Sequence, residues 1–255
     1  MGRFLLPERG DWRVMRHWFE PMAEHMGEAY LRYSFTKGTE QEVDFLVDVL
    51  ALTPGDRVLD VGCGPGRHAR ALAERGMQVL GVDVSERFVD LANREAPPTA
   101  TFQRADARHL PYEDEFDAVI SLCQGAFGLV GEEDPSVLEG MVRAAKADGS
   151  GRIALTAFSA YFALRYLEES DRFDADAGVN HERTVVRNEG GDEAEFDLWT
   201  SCFTPRELRL LCIRSGLIVE HLWAVAPGAY DRTPPDIEHP EFLLIARKPQ
   251  VGTLS

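Results

Sequence analysis

The chain has 255 residues, of which 44% are hydrophobic and 27% charged, so it is long enough to bury a core without disulfide bonds. Acidic residues outnumber basic ones by 43 to 27, which gives a formal net charge of −16. This charge argues against a nucleic-acid binder with a broad basic surface and against a partner membrane of anionic lipids.

The four cysteines form no C-x-x-C pair, so the sequence indicates neither a zinc site nor a redox motif. No apolar stretch approaches the ~18 residues of a membrane span, and the first residues lack the apolar run of a signal peptide. We therefore expect a cytoplasmic protein without a membrane partner.

Two helices are predicted ahead of the first strand. Residues 11–35 carry aromatic and apolar side chains at helical spacing, with a break or kink expected at Pro21. Residues 39–52 predict a second helix with an apolar face. Tyr30, Tyr33 and Phe35 in the first segment are interpreted as a lid over a ligand, or alternatively as a helix packed on the sheet edge.

Short apolar strands then alternate with helices. The predicted strands are 57–61, 78–82, 101–104, 116–123 and 152–158, and the predicted helices are 67–75, 86–95 and 135–147. Ser85 is the expected N-cap of the second of these helices. This alternation predicts a parallel sheet that is covered by helices on both faces.

The alternation pauses at residues 160–203, which are acidic with interleaved aromatic residues. Segments 184–187 and 195–200 flank a turn at 188–192, which predicts a β-hairpin. The run Thr204-Pro205-Arg206-Glu207 predicts the start of a helix that ends at Ser215, with Thr204 as N-cap and Glu207 at the third helical position. Two final strands are predicted at 217–225 and 241–247.

The most informative segment is Arg57-Val58-Leu59-Asp60-Val61-Gly62-Cys63-Gly64-Pro65-Gly66, an apolar strand that enters a glycine-rich turn. The third glycine comes one residue earlier than in the dinucleotide fingerprint G-x-G-x-x-G. Asp60 stands two residues before the first glycine. A carboxylate there suits a cationic ligand such as S-adenosylmethionine better than a pyrophosphate.

Two further acids follow the next two strands. Asp83 ends the second strand, where a carboxylate can accept both hydroxyl groups of a ribose. Asp106, in the turn Arg104-Ala105-Asp106-Ala107, can accept a hydrogen bond from an adenine amine, while the Ala107 backbone donates to the ring. A helix cap is the alternative role for Asp106.

In this order, D-x-G-x-G-x-G, V-D, A-D-A and Phe116-Asp117-Ala118-Val119-Ile120 resemble the class I S-adenosylmethionine-dependent methyltransferases of the small-molecule type. The resemblance covers residues 40–158 and, more weakly, 204–247. It implies an α/β fold with a doubly wound, mostly parallel seven-stranded sheet whose last strand is antiparallel. It implies S-adenosylmethionine as cofactor and S-adenosylhomocysteine as product. The predicted cofactor-binding residues are Asp60, Gly62, Cys63, Gly64, Gly66, Asp83, Val84, Asp106, Ala107 and Leu122.

The resemblance divides the chain into four parts. Residues 1–52 form a helical N-terminal extension or lid, residues 53–159 and 204–249 form the S-adenosylmethionine-binding domain, and 250–255 are a tail. Residues 160–203 are interpreted as a cap over the acceptor, because they begin on the ligand side of the sheet. The alternative is a dimerisation hairpin, so a homodimer stays open.

The loop after the fourth strand lies between cofactor and acceptor in small-molecule members of the family. We expect Gln124 and Phe127 there, and Tyr161 in the insert, to bind the substrate. The alternatives are that Phe127 belongs to the core and that Gln124 only orders the loop. The sequence Cys-Gln-Gly-Ala replaces the N/D-P-P-Y/F motif of nucleic-acid N6-methylases, and no acids stand here to hold Mg²⁺, so we predict no metal.

Methyl transfer is an in-line displacement that depends mainly on positioning and desolvation, with one base helping to remove the acceptor's proton. His181 is the first candidate for this base, and Tyr33 and Gln124 are further catalytic candidates. The predicted function is methyl transfer to an oxygen or nitrogen of a small molecule. A protein or RNA methyltransferase and a non-catalytic S-adenosylmethionine-binding module are the alternatives; the acceptor itself stays open.

Overall fold

The structure is a computed structural model that describes residues 17–250. Its helices are α1 (Phe19–Met26), α2 (Thr39–Val49), α3 (Arg67–Glu74), α4 (Glu86–Arg94), α5 (Asp134–Ala144), α6 (Ala160–Arg165) and α7 (Pro205–Arg214). Its strands are β1 (Arg57–Val61), β2 (Gln78–Asp83), β3 (Ala100–Arg104), β4 (Ala118–Ser121), β5 (Arg152–Ser159), β6 (Arg172–Asp174), β7 (Val179–Arg187), β8 (Glu193–Phe203), β9 (Ile218–Val225) and β10 (Glu241–Arg247).

Seven strands form the main sheet in the order β3-β2-β1-β4-β5-β10-β9. The first five are parallel to one another, and β10 is antiparallel to both of its neighbours. The doubly wound, mostly parallel seven-stranded fold is thus confirmed. The carboxyl ends of the parallel strands share one edge with the start of β10, which matters because ligands bind at that edge in open α/β sheets.

The strands are buried because helices cover both faces of the sheet. On one face Val58 and Ile245 pack with the apolar sides of α2 and α3, including Leu46 and Leu72. On the other face Leu59, Val119 and their neighbours pack against α5 and α7. Near-continuous apolar strands, rather than alternating ones, follow from this two-sided burial.

The insert after β5 is larger than the predicted hairpin. The hairpin of β7 and β8 is present, and β6 pairs with β7 as a third antiparallel strand. Its last strand, β8, joins the main sheet where Phe158 pairs with Cys202 and Ser159 with Phe203. The short elements α6 and β6 were not predicted, because three to six residues are too few to display a period.

The N-terminal helix connects this insert to the rest of the molecule. Met22 and Met26 of α1 pack against Phe88 of α4 and Val186 of β7. Pro21 lies in the first turn of α1, where backbone N–H groups have no partner within the helix. The break or kink that the sequence predicted at Pro21 is therefore absent from this helix. Residues 11–16 of the predicted first helix lie outside the described residues, as do residues 251–255 of the tail.

Two predicted helix starts have the expected hydrogen bonds. Ser85 accepts from the Phe88 backbone at the start of α4, and Thr204 and Glu207 form a reciprocal capping box at the start of α7. Across residues 17–250, none of the helices combines the length and apolarity that crossing a membrane requires.

Candidate cofactor and acceptor site

The glycine turn after β1 requires glycine for two reasons. Gly62, Gly64 and Gly66 all have positive φ angles, of 76°, 54° and 84°. A Cβ atom at Gly62 would lie 2.1 Å from the carbonyl carbon of Gly125, so the loop after β4 packs directly on this turn. The turn therefore presents bare backbone at the ligand-binding edge of the sheet.

Asp60, in β1 just ahead of the turn, is buried with an unsatisfied oxygen. Only 1% of its surface is exposed, and no residue that the structure describes forms a hydrogen bond with its Oδ2 atom. Burial raises the pKa of Asp60 to about 7, with repulsion from Asp83 adding to the effect and attraction from Arg67 opposing it. An unpaired buried carboxylate oxygen is suited to accept a hydrogen bond from a cationic ligand.

Asp83 fastens the end of β2 to the glycine turn. Its Oδ2 accepts the Gly64 N–H at 2.8 Å, and its Oδ1 accepts the Ser85 N–H at 2.8 Å. Burial raises the pKa of Asp83 to about 6, although both hydrogen bonds oppose this shift. Each oxygen keeps a second lone pair, so the carboxylate can still accept hydroxyl groups of a ligand.

Asp106 has the capping role that the sequence offered as an alternative. It caps the short 3-10 turn Ala107–His109 by accepting the Arg108 N–H at 2.9 Å, and it also lines the pocket described below. The Arg108 guanidinium pairs with the same carboxylate and with Glu133, the latter at 2.6 Å. Burial alone would raise the pKa of Asp106, but the hydrogen bonds from Arg108 outweigh burial and lower it.

A pocket that is partly open to solvent lies between these segments. Its lining includes five of the predicted cofactor-binding residues, namely Gly62, Asp83, Val84, Asp106 and Ala107. The other five, Asp60, Cys63, Gly64, Gly66 and Leu122, belong to β1, the glycine turn and the loop after β4. Lining residues that were not predicted to bind the cofactor are His17, Phe19, Val82, Ala105, Gly125, Ala126, Leu129 and Val130. Of these, His17 and Phe19 belong to the N-terminal segment, which therefore contributes part of the pocket wall.

The loop after β4 is strained. Cys123 and Gln124 both have left-handed backbone angles, with φ of 51° and 49°, which few residues other than glycine adopt. The Cys123 N–H donates to the Thr156 hydroxyl at 2.7 Å, which holds the loop against β5. This strain lies where the loop meets the glycine turn, and strained backbone is concentrated at functional sites.

A buried ionic cluster lies beside this loop. The Arg67 guanidinium donates to Glu42 at 2.6 Å and to the Cys123 sulfur at 2.9 Å, and His68 Nε2 lies 2.7 Å from the same Glu42 oxygen. Although burial would raise the pKa of Glu42, the bonds to His68 and the charge of Arg67 lower it to about 2. Ligand atoms of Glu42, His68 and Cys123 lie within 4.8 Å of one another. Arg67 already supplies their positive charge, so we do not assign a metal ion to them.

Cys63 is a buried thiol and Cys123 a half-buried one. Burial is the main reason that the pKa of each lies well above its usual value. A neutral thiol is a weak nucleophile, so we assign neither cysteine a nucleophilic role.

The predicted catalytic residues lie on different parts of the structure. His181 Nε2 lies 2.8 Å from Asp197 Oδ1, and the imidazole stacks on Trp199. The Tyr33 hydroxyl accepts the Arg187 N–H at 3.2 Å, so both residues are held by the hairpin. Gln124 instead donates to Glu241 Oε1 in β10 at 2.9 Å.

The two remaining predicted substrate contacts differ in exposure. Phe127 is fully buried and stacks on Phe203 with ring centroids 4.9 Å apart, so the alternative that it is a core residue holds. Tyr161, in α6, is 42% exposed. Sequence reasoning missed Glu42 and Glu241, because neither lies in a recognisable motif.

Comparison with known proteins agrees with this geometry. Residues 58–149 match the family model described as a methyltransferase domain. A 27-O-demethylrifamycin SV methyltransferase of Amycolatopsis mediterranei is 39% identical over 93 residues, covering 34% of each chain. A demethylmenaquinone methyltransferase of Renibacterium salmoninarum is 34% identical over 116 residues, covering 45% of this chain and 46% of that protein. The alignments thus span less than half the length of these relatives.

Solved structures match over most of the chain. The CcbJ methyltransferase from Streptomyces caelestis superposes with a TM-score of 0.73 at 20% identity, covering 89% of this chain and 98% of the other. An S-adenosylmethionine-dependent methyltransferase from Clostridium acetobutylicum gives a TM-score of 0.67 at 13% identity, covering 87% and 94%. At these identities the likeness establishes the fold, and the sequence match is confined to the half that carries the glycine turn.

Proposed function

Because this chain belongs to the class I S-adenosylmethionine-dependent methyltransferases, we propose that it transfers a methyl group to an oxygen or nitrogen of a small-molecule acceptor. The observation that carries the proposal is the glycine turn with the unpaired Asp60 carboxylate beside it. S-adenosylmethionine, the cofactor of the family, supplies an electrophilic methyl group on a sulfonium.

The residues of the site fit this cofactor. Asp60 offers an unpaired carboxylate oxygen for the ammonium group, and the bare backbone of the turn admits a close ligand. Asp83 keeps lone pairs for the ribose hydroxyls, and Asp106 lines the part of the pocket that we assign to the adenine. The task of these residues is to bind and orient the cofactor, and the N-terminal extension helps to exclude water.

Two observations support a small molecule as the acceptor. The relatives named above are methyltransferases of a rifamycin compound and of demethylmenaquinone. The net charge of −16 disfavours a polyanionic RNA. His181, Tyr33 and Gln124 remain our candidates for catalysis, and Tyr161 for acceptor binding.

We also propose a cytoplasmic location. All four cysteines are free, and disulfide bonds persist chiefly in oxidising compartments.

Calorimetric titration with S-adenosylhomocysteine tests the cofactor half of the proposal. We expect binding in the micromolar range, no binding of NAD, and at least a tenfold loss of affinity in Asp83→Ala. Asp90→Asn, on the exposed face of α4, is the matched control. A folded, ligand-free sample that does not bind S-adenosylhomocysteine would refute the proposal.

A further inference from the structure

Glu241, the first residue of β10, is a buried carboxylate that the proposed function leaves without a role. It is 3% exposed, and its Oε1 accepts the Gln124 amide at 2.9 Å. Among residues 17–250, its Oε2 atom has no hydrogen-bond partner. Leaving a buried charged oxygen unpaired costs stability, so its persistence calls for a ligand that completes it.

The position of Glu241 connects it to the cofactor pocket. Glu241 pairs with Phe158 at the end of β5, at the ligand-binding edge of the sheet. Its partner Gln124 directly precedes Gly125, which lines the cofactor pocket and touches Gly62. One face of the loop after β4 therefore meets the cofactor pocket, and the side chain of the adjacent residue holds Glu241.

The groups around Glu241 leave it without a cation of its own. Arg67 is the nearby positive charge, and it is already bonded to Glu42 and Cys123. Tyr230 is 2% exposed, and its hydroxyl likewise lacks a hydrogen-bond partner within the described part of the chain. Two unpaired buried polar atoms, one anionic and one a hydroxyl, thus lie in the same neighbourhood.

We propose that the methyl acceptor is a small primary or secondary amine, whose nitrogen binds to Glu241 Oε2 and the Tyr230 hydroxyl. The inference rests on the proposed methyltransferase function and specifies its acceptor. An ammonium matches the charge of Glu241 and carries at least two protons, one for each unpaired oxygen. An alcohol or phenol carries a single proton and no charge, so it would leave one of the two unsatisfied.

Glu241 also has the protonation behaviour that an amine acceptor requires. The bound ammonium gives one proton to Oε2, and the nitrogen lone pair then forms a bond to the methyl carbon. The carbon–sulfur bond breaks, and its electron pair leaves with S-adenosylhomocysteine. The product carries the positive charge, and Glu241 returns its proton to solvent after release. Nothing else is consumed.

Burial supports this role, because it raises the pKa of Glu241 to about 7, and repulsion from Glu42 adds to the rise. The Gln124 amide, the Thr156 hydroxyl and the charge of Arg67 oppose the shift. The Cys123 thiol and the Tyr230 hydroxyl also face Glu241, and both stay neutral. A base with a pKa near the working pH is well matched to proton transfer.

Methyl transfer from radiolabelled S-adenosylmethionine to matched acceptors tests the inference. The probes are a panel of arylalkyl primary and secondary amines and the same scaffolds with a hydroxyl in place of the nitrogen. We expect label in the amines. In Glu241→Gln we expect kcat to fall at least a hundredfold while the affinity for S-adenosylhomocysteine stays within twofold. Glu241→Asp should recover part of the rate, and Glu113→Gln, an exposed matched control, should behave as wild type.

A second experiment observes the titration of the Glu241 carboxyl group directly. Carboxyl ¹³C NMR of the glutamate-labelled protein should show one resonance that titrates near pH 7 and is missing in Glu241→Gln. Label that enters only the hydroxyl set, label in neither set, or amine turnover unchanged in Glu241→Gln would each overturn the inference. In all three cases S-adenosylhomocysteine should still bind. If it does not bind, the proposed methyltransferase function itself fails, so the two failures can be told apart.

Discussion

Asp60→Asn should stabilise the ligand-free protein, and increasingly so as the pH rises. The pKa of Asp60 is about 7 in the folded protein and about 3.9 in an unfolded chain, so the folded state holds the proton more tightly between these values. Stability contributed by this group is therefore present at low pH and is lost as the pH rises through 4 to 7. Asparagine has a similar shape and cannot ionise, so it removes the pH-dependent cost.

The size of the effect follows from the shift. One pKa unit corresponds to about 1.4 kcal/mol, so ionised Asp60 costs about 4 kcal/mol at pH 8 and about 1.5 kcal/mol at pH 5. The stability difference between Asp60→Asn and wild type should thus grow by about 3 kcal/mol over this range. For a chain of this length that corresponds to roughly 6–12 °C in Tm.

Urea unfolding at four pH values between 5 and 8 measures this difference directly. Asp90→Asn, on the exposed face of α4, should show a difference from wild type that does not change with pH. If the Asp60→Asn difference were also flat, Asp60 would be titrating as an ordinary exposed carboxyl and the argument from burial would be wrong. The same variant should bind S-adenosylhomocysteine more weakly, because the oxygen proposed for the ligand's ammonium has lost its charge.

Two further substitutions test the packing of the site. Gly62→Ala should lower the free energy of unfolding at least twice as much as Gly216→Ala, for which we expect a loss of roughly 1–2 kcal/mol, and it should abolish S-adenosylhomocysteine binding. The two glycines have similar φ angles, 76° and 73°, but of these two positions only Gly62 would place a Cβ within 4 Å of backbone atoms. Equal losses in chemical denaturation would contradict the close approach of the glycine turn and the loop after β4. Glu42→Gln should destabilise the protein by about 3–5 kcal/mol, because it leaves Arg67 buried without its anionic partner. In the same assay, Glu40→Gln, which removes an exposed partner of Arg75, should lower the free energy of unfolding by less than about 1 kcal/mol. A small effect at Glu42 would mean that Arg67 finds another anion.

The parts of the site that could be predicted are encoded in contiguous sequence. The run from Asp60 to Gly66 specifies a strand, a turn with positive φ angles and a helix start, and each of these depends on neighbouring residues. The capping box at Thr204 is local in the same way. Such local patterns can be recognised in the sequence without knowledge of the tertiary structure.

The side-chain partners at the proposed acceptor side could not be predicted, because they meet only after the sheet is complete. Gln124 and Glu241 lie 117 positions apart, and β10 brings them together by inserting between β5 and β9. Phe127 was expected at the acceptor, but β8 places Phe203 against its ring and closes it into the core. Neither partnership leaves a pattern in the sequence around Gln124 or Phe127.

Three buried carboxylates at one edge of the sheet, Asp60, Asp83 and Glu241, are each harder to ionise than an exposed acid. In the absence of a ligand this arrangement lowers stability at neutral pH, since each ionised group has given up water. A cationic cofactor and a cationic acceptor would both reverse that cost, because each brings the charge that the edge lacks. In the proposed function, a less stable empty site therefore accompanies selectivity for positively charged ligands. Asp60→Asn tests the cofactor part of this proposal, and Glu241→Gln tests the acceptor part.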